Sequence, residues 1–151
     1  ARAAFTERHL YEKLFITSSA PNLNSHWRNN MAVMNKEKGD VGEELAIEML
    51  KGKGYEILET KYRFSRGEID IIAKDPLTGF TVFVEVKYKE NLEYGHPAYS
   101  ITKAKQKQVR KVAELYIYEK ELNELECRFD VITVLNIPYQ KPEIEHYENA
   151  F

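Results

Sequence analysis

Gly67-Glu68-Ile69-Asp70-Ile71-Ile72-Ala73 (67–73) and Val82-Phe83-Val84-Glu85-Val86-Lys87-Tyr88-Lys89 (82–89) are the two stretches around which the chain is organised. In an extended strand, successive side chains point to opposite faces. The second stretch then places Val82, Val84 and Val86 on one face and Phe83, Glu85 and Lys87 on the other. In the first, Ile69, Ile71 and Ala73 share a face, and Glu68, Asp70 and Ile72 share the opposite one. Both stretches are apolar enough on either side to lie inside a sheet covered by helices. A charge in such a place is costly unless it is paired or binds a metal. Asp70, Glu85 and Lys87 are therefore the residues that need an explanation.

Asp75-Pro76-Leu77-Thr78-Gly79 is a hairpin loop between these strands. Ser65-Arg66-Gly67 makes a tight turn back to a strand over 55–64, so three strands form an antiparallel meander. Upstream, Val41, Leu45, Met49 and Leu50 recur at helical spacing over 38–53, and Gly52 and Gly54 close that helix. Downstream, 90–100 is a loop, and a helix over 102–121 buries Val109, Val112, Ala113, Tyr116 and Ile117. The strand at 127–135 follows a helical crossover and is expected parallel to its neighbour. Residues 143–147 add an edge strand. The fold class is α/β: a mixed sheet with helices on both faces.

At 151 residues, with a net charge of −2, the chain fits one well-packed domain. Residues 1–35 stand apart as an extension, flexible or docked on a partner, with a short helix expected at 7–16 and turn formers at 18–30. One of Met31 and Met34 is the expected natural start. Residues 36–151 form the domain, with 18 basic against 22 acidic side chains. Affinity for a polyanion then has to come from a local basic surface, not from the overall field. No run is long enough to span a membrane, and with no continuous apolar stretch near residue 1 no secretory signal is expected. The single cysteine, Cys127, reads as a buried, inert thiol, and a cytoplasmic location is expected.

Glu85 and Lys87 lie two apart on one strand and point the same way. If the meander pairs as expected, Asp70 faces them from the neighbouring strand. Two carboxylates from adjacent strands suit Mg²⁺, which keeps waters and substrate phosphate in its shell. A lysine beside them can orient an attacking water and offset charge on a phosphate. On its own, Glu-x-Lys on a strand is usually a solvated pair. The apolar flanks, the matching strand of Asp70 and the hairpin joining the two argue for a site.

GEIDIIA followed by VFVEVKYK resembles the metal site of the PD-(D/E)xK, or restriction-endonuclease-like, superfamily. More closely, the chain is similar to the YraN-like family, related to archaeal Holliday-junction resolvases. The likeness covers about 38–151 and includes GDVGEELA (39–46), GYEIL (54–58), RFDVI (128–132) and NAF (149–151). The resemblance implies a restriction-endonuclease-like core. It implies Asp70, Glu85 and the Val86 carbonyl as holders of Mg²⁺ or Mn²⁺, Lys87 as catalytic lysine, and Glu43 as the helix glutamate that completes the site. The motif's proline is replaced, since Glu68-Ile69 precedes Asp70, so only the aspartate carries over.

The expected function is metal-dependent hydrolysis of DNA phosphodiester bonds, with branched or flapped DNA as candidate substrates. A non-cleaving nucleic-acid-binding module acting with a recombination or uptake partner is the alternative. Lys103, Lys105 and Arg110, with Lys107 and Lys111, would contact phosphates if DNA crosses the second helix. Glu68 is a further acid near the site or a partner of Arg63 or Arg66. Arg128 and Asp130 are expected to pair near the site, and His96 and Tyr94 to lie in the loop beyond Lys87. A homodimer would let two sites address two strands.

Overall fold

The structure, a computed structural model, describes residues 23–91, 101–122 and 126–151, with side chains from Val33 onward. The helix expected at 7–16, and Tyr94 and His96, lie outside these residues. The chain divides into two compact units, Ala1–Asn35 and Lys36–Phe151, and the second is described below.

The elements run α1 (Leu23–Gly52), β1 (Glu56–Phe64), β2 (Gly67–Lys74), β3 (Thr81–Lys89), α2 (Lys103–Glu119), β4 (Cys127–Leu135) and β5 (Glu143–Tyr147). The first helix begins at Leu23, not near Lys38, so the stretch read as loop is helical from there. No proline follows Pro21 before Pro76, and Met31 to Lys38 are mostly good helix formers, so nothing breaks the backbone ladder.

The strand order is β1-β2-β3-β4-β5. β1, β2 and β3 are the antiparallel meander. β4 returns through α2 to lie parallel to β3, and β5 pairs antiparallel on its far side. The mixed sheet is covered on both faces, as a restriction-endonuclease-like core requires. On one face, Ala46 and Leu50 of α1 pack on Ile71, Ala73, Val82, Val84, Ile132 and Val134. On the other, Val109, Val112, Ala113 and Tyr116 of α2 pack on Tyr62, Ile69, Ile72 and Phe83.

β3 alternates as its sequence dictates. β2 does not: Ile71 and Ala73 face α1, but Ile69 joins Ile72 on the α2 face. The sequence reading placed Ile69, Ile71 and Ala73 together, and the strand pair overturns it. Thr60 pairs with Ile71 and Tyr62 with Ile69, so the flip falls at Lys61 and Asp70 between them. Lys61 has a φ of 53°, a left-handed conformation uncommon for a residue with a Cβ. In β1 such a residue turns Tyr62, which follows it, onto the α2 face, where it pairs with Ile69.

Two glycines set how closely the helices approach. A Cβ on Gly42 would sit 2.9 Å from the Tyr88 Cβ, and one on Gly67 would sit 2.3 Å from Val112 Cγ2. The bare backbone at these points lets α1 reach the end of β3 and lets α2 reach the start of β2.

Candidate active site

The ladder between β2 and β3 runs from Lys74↔Thr81 to Ile71↔Val84 and stops. Continued by one step, it would set Asp70 opposite Glu85. The strands part there, and the Val86 N–H donates to Asp70 Oδ2 at 2.7 Å. Burial, and next the Glu85 carboxylate, push the Asp70 carboxyl up to about 7, against the pull of the Val86 N–H. A carboxyl held that far above its ordinary range marks a place short of positive charge.

Glu85 lies on the α2 face of β3 and is 3% exposed. Its Oε1 accepts from Lys87 Nζ at 2.8 Å and pairs with Lys105 Nζ at 3.1 Å. Its Oε2 is buried and has no hydrogen-bond partner. A buried carboxylate oxygen left bare costs free energy unless something binds it. Lys105, expected as a phosphate contact on the second helix, is turned inward onto Glu85. Its helix starts at the Thr102 cap, where the Thr102 hydroxyl accepts the Lys105 N–H at 3.2 Å, and has no acid in its first turn. Lysines at the positive end of a helix run against its dipole, a signal that Lys103 and Lys105 share.

Across the divide, Glu43 of α1 and Glu68 and Asp70 of β2 bring carboxylate oxygens within 4.8 Å of one another. Burial raises the Glu43 carboxyl, with Lys61 opposing. Lys61 pairs with Glu43 at 3.5 Å and more tightly with Asp40. Glu68 pairs with Arg63, its cross-strand neighbour, and its carboxylate also belongs to the acid group. Lys61 escaped the sequence reading entirely, because an isolated lysine in a polar edge strand carries no signal.

Asp70, Glu85, Lys87 and Glu43 thus converge where β2 and β3 part. Lys103 is exposed at the start of α2. Arg110 is exposed too, but its guanidinium lies 4.7 Å over the Phe129 ring and 5.6 Å from the Phe151 ring, which gives it a packing role. Cys127 is half-buried, and burial raises its thiol.

Arg128 and Asp130 do pair, at 3.0 Å, but on the α1 face, away from Glu85. Arg128 also donates to Asp75 Oδ2 and to the Tyr55 hydroxyl, both at 2.7 Å. His146 contacts Asp130 Oδ2 through Nε2 at 2.7 Å. This network ties the β2–β3 loop to β4 and β5.

The family model for "Uncharacterised protein family UPF0102" matches residues 42–134. The chain belongs to this family. A UPF0102 protein of Geotalea daltonii is 44% identical over 117 residues, covering 78% of this chain and 91% of that protein. One of Clostridioides difficile is 45% identical, covering 78% and 98%. One of Chlorobium limicola is 47% identical over 118 residues, covering 75% and 90%. The UPF0102 match spans both strands that carry Asp70, Glu85 and Lys87, together with Glu43 and Lys105. Among its described residues, no helix is long and apolar enough to cross a membrane.

Proposed function

We propose that this UPF0102 protein is a Mg²⁺- or Mn²⁺-dependent nuclease that hydrolyses DNA phosphodiester bonds. The observation that carries the reading is Glu85 Oε2, buried and bare beside a raised Asp70 carboxyl. A buried carboxylate oxygen with no hydrogen-bond partner suits a hard divalent cation. Asp70, Glu85 and the Val86 carbonyl would hold the ion, with Glu43 completing the acid set. The bound ion would act as a Lewis acid on the phosphoryl group. Lys87, steadied by Glu85 Oε1 at 2.8 Å, orients the attacking water and offsets charge developing on the phosphate. Lys105, on the same oxygen, adds a second cation toward the substrate. A pair of copies would cut both arms of a branched DNA.

The test is a cleavage screen of single-stranded, duplex, flap and four-way DNA with Mg²⁺ and Mn²⁺. Cleavage by the wild type that is lost in Lys87→Ala supports the reading. Salt-dependent binding without cleavage in either metal favours the non-cleaving module instead.

A further inference from the structure

Beside the start of β2, on the α2 face, a cleft of about 270 Å³ is lined by Phe64, Arg66, Gly67, Gln108, Lys111 and Val112, among others. Its floor is the close approach of Gly67 to Val112. Gln108 Nε2 donates to the Arg66 carbonyl at 3.0 Å and ties the helix to the turn. Phe64 is 38% exposed at the rim, although it ends a strand whose neighbour Tyr62 is buried. Arg66 and Lys111 are exposed, and no carboxylate among the described residues pairs with either. Lys61, Arg63, Lys87 and Lys105 nearby are all paired with acids. Two free cations around an exposed aromatic ring match a phosphate backbone with an accessible base.

We infer that this cleft holds an unpaired nucleotide of single-stranded DNA, with the base stacked on Phe64 and flanking phosphates on Arg66 and Lys111. Gly67 lies three residues from Asp70 on β2, roughly 10 Å along the strand. The bound nucleotide would therefore lie a few steps from the cut. This placement rests on the nuclease reading; the binding itself does not. Duplex DNA keeps its ring faces stacked and gains only the phosphate contacts.

Fluorescence anisotropy of the full chain in EDTA, where no cleavage occurs, tests the cleft with labelled oligo-dT and a duplex of equal length. Phe64→Ala should weaken oligo-dT binding about tenfold and leave the duplex within about twofold. Phe64→Leu, which keeps the apolar bulk, should weaken it similarly. Arg66→Ala combined with Lys111→Ala should flatten the salt dependence for oligo-dT by about 1.4 in the log–log slope. The charge-matched pair Lys74→Ala with Lys141→Ala should change neither. Unchanged oligo-dT affinity in the Phe64 variants, or an equal loss for both polymers, overturns the cleft. A wild type that cuts DNA while the Phe64 variants bind normally overturns the cleft alone. A wild type that binds neither polymer in EDTA overturns the cleft, while the nuclease reading stands or falls with the cleavage screen.

Discussion

Lys61 and Asp70 lie between the paired residues Thr60↔Ile71 and Tyr62↔Ile69 of the β1–β2 ladder, and the Lys61 backbone is in the left-handed region at φ 53°. The faces of both strands exchange at that point, so the proposed metal-holding aspartate sits at an irregular step of the ladder, which also shifts register between Ile57 and Glu59. The irregularity does two things. It releases Asp70 from the α2-face core, so that its carboxylate can take the Val86 N–H. It also directs Lys61 toward Asp40 and Glu43 on α1.

That geometry makes position 61 sensitive to backbone preference. Lys61→Asn, which tolerates the left-handed region, should leave unfolding free energy within about 0.5 kcal/mol. Lys61→Val should lose about 2 kcal/mol, because a β-branched side chain resists that conformation. Urea unfolding of the two variants checks this, and equal effects would show that the conformation imposes no strain.

Asp70→Asn should stabilise the protein in the absence of divalent ions. The folded carboxyl titrates at about 7 against an ordinary 3.8, so its ionisation opposes folding. The penalty is absent below the unfolded value, grows as pH rises between the two, and is complete above about 7. The variant should gain on the order of 2 kcal/mol at pH 8 and nothing at pH 4. With millimolar Mn²⁺ added, the wild type should gain melting temperature and the variant should not. Melting curves across pH, with and without the ion, measure both effects.

Arg128 holds two acids, and its removal should be severe. Burial raises Asp130 and Asp75. For Asp130, His146, Arg128 and the Asn149 N–H outweigh burial; for Asp75, the Leu77 and Thr78 N–H groups and Arg128 do, and both carboxyls end below 3.8. Their stabilisation is full above 3.8 and is lost as pH falls through the lowered values. Arg128→Met should cost about 3 kcal/mol at pH 7, and the gap to wild type should narrow in strong acid. Denaturant titrations at pH 7 and pH 2.5 would show it.

Gly67→Ala should destabilise by about 2 kcal/mol, since its new methyl would lie 2.3 Å from Val112 Cγ2 in a packed core. Val112→Ala in the same chain should recover part of that loss, so the double variant should cost less than the sum of the singles. Strict additivity of the measured values would mean that the two residues do not meet.

Several features were legible in the residues alone. The meander, the parallel return of 127–135 and the two helices followed from apolar periodicity and turn residues, because these signals are local. Asp70, Glu85 and Lys87 stood out because a charge in a strand apolar on both sides violates the burial rule, and that violation is visible without coordinates. Glu43 was less exposed to such reasoning, being one of several acids along a helix. It came only through the likeness of GDVGE to a known pattern.

What tertiary structure alone decided is which charges meet. Across from the left-handed step at Lys61, Ile69 lies on the same face as Ile72, against strict alternation. The inward swing of Lys105, the pairing of Arg128 with Asp75 across 53 positions, and the stacking of Arg110 on Phe129 depend on partners far away in sequence. Periodicity reports which side of an element a residue occupies; it carries no information about what another element delivers to that side. The bare oxygen on Glu85 is of this kind, since it exists only because two lysines from different elements converge on the other oxygen.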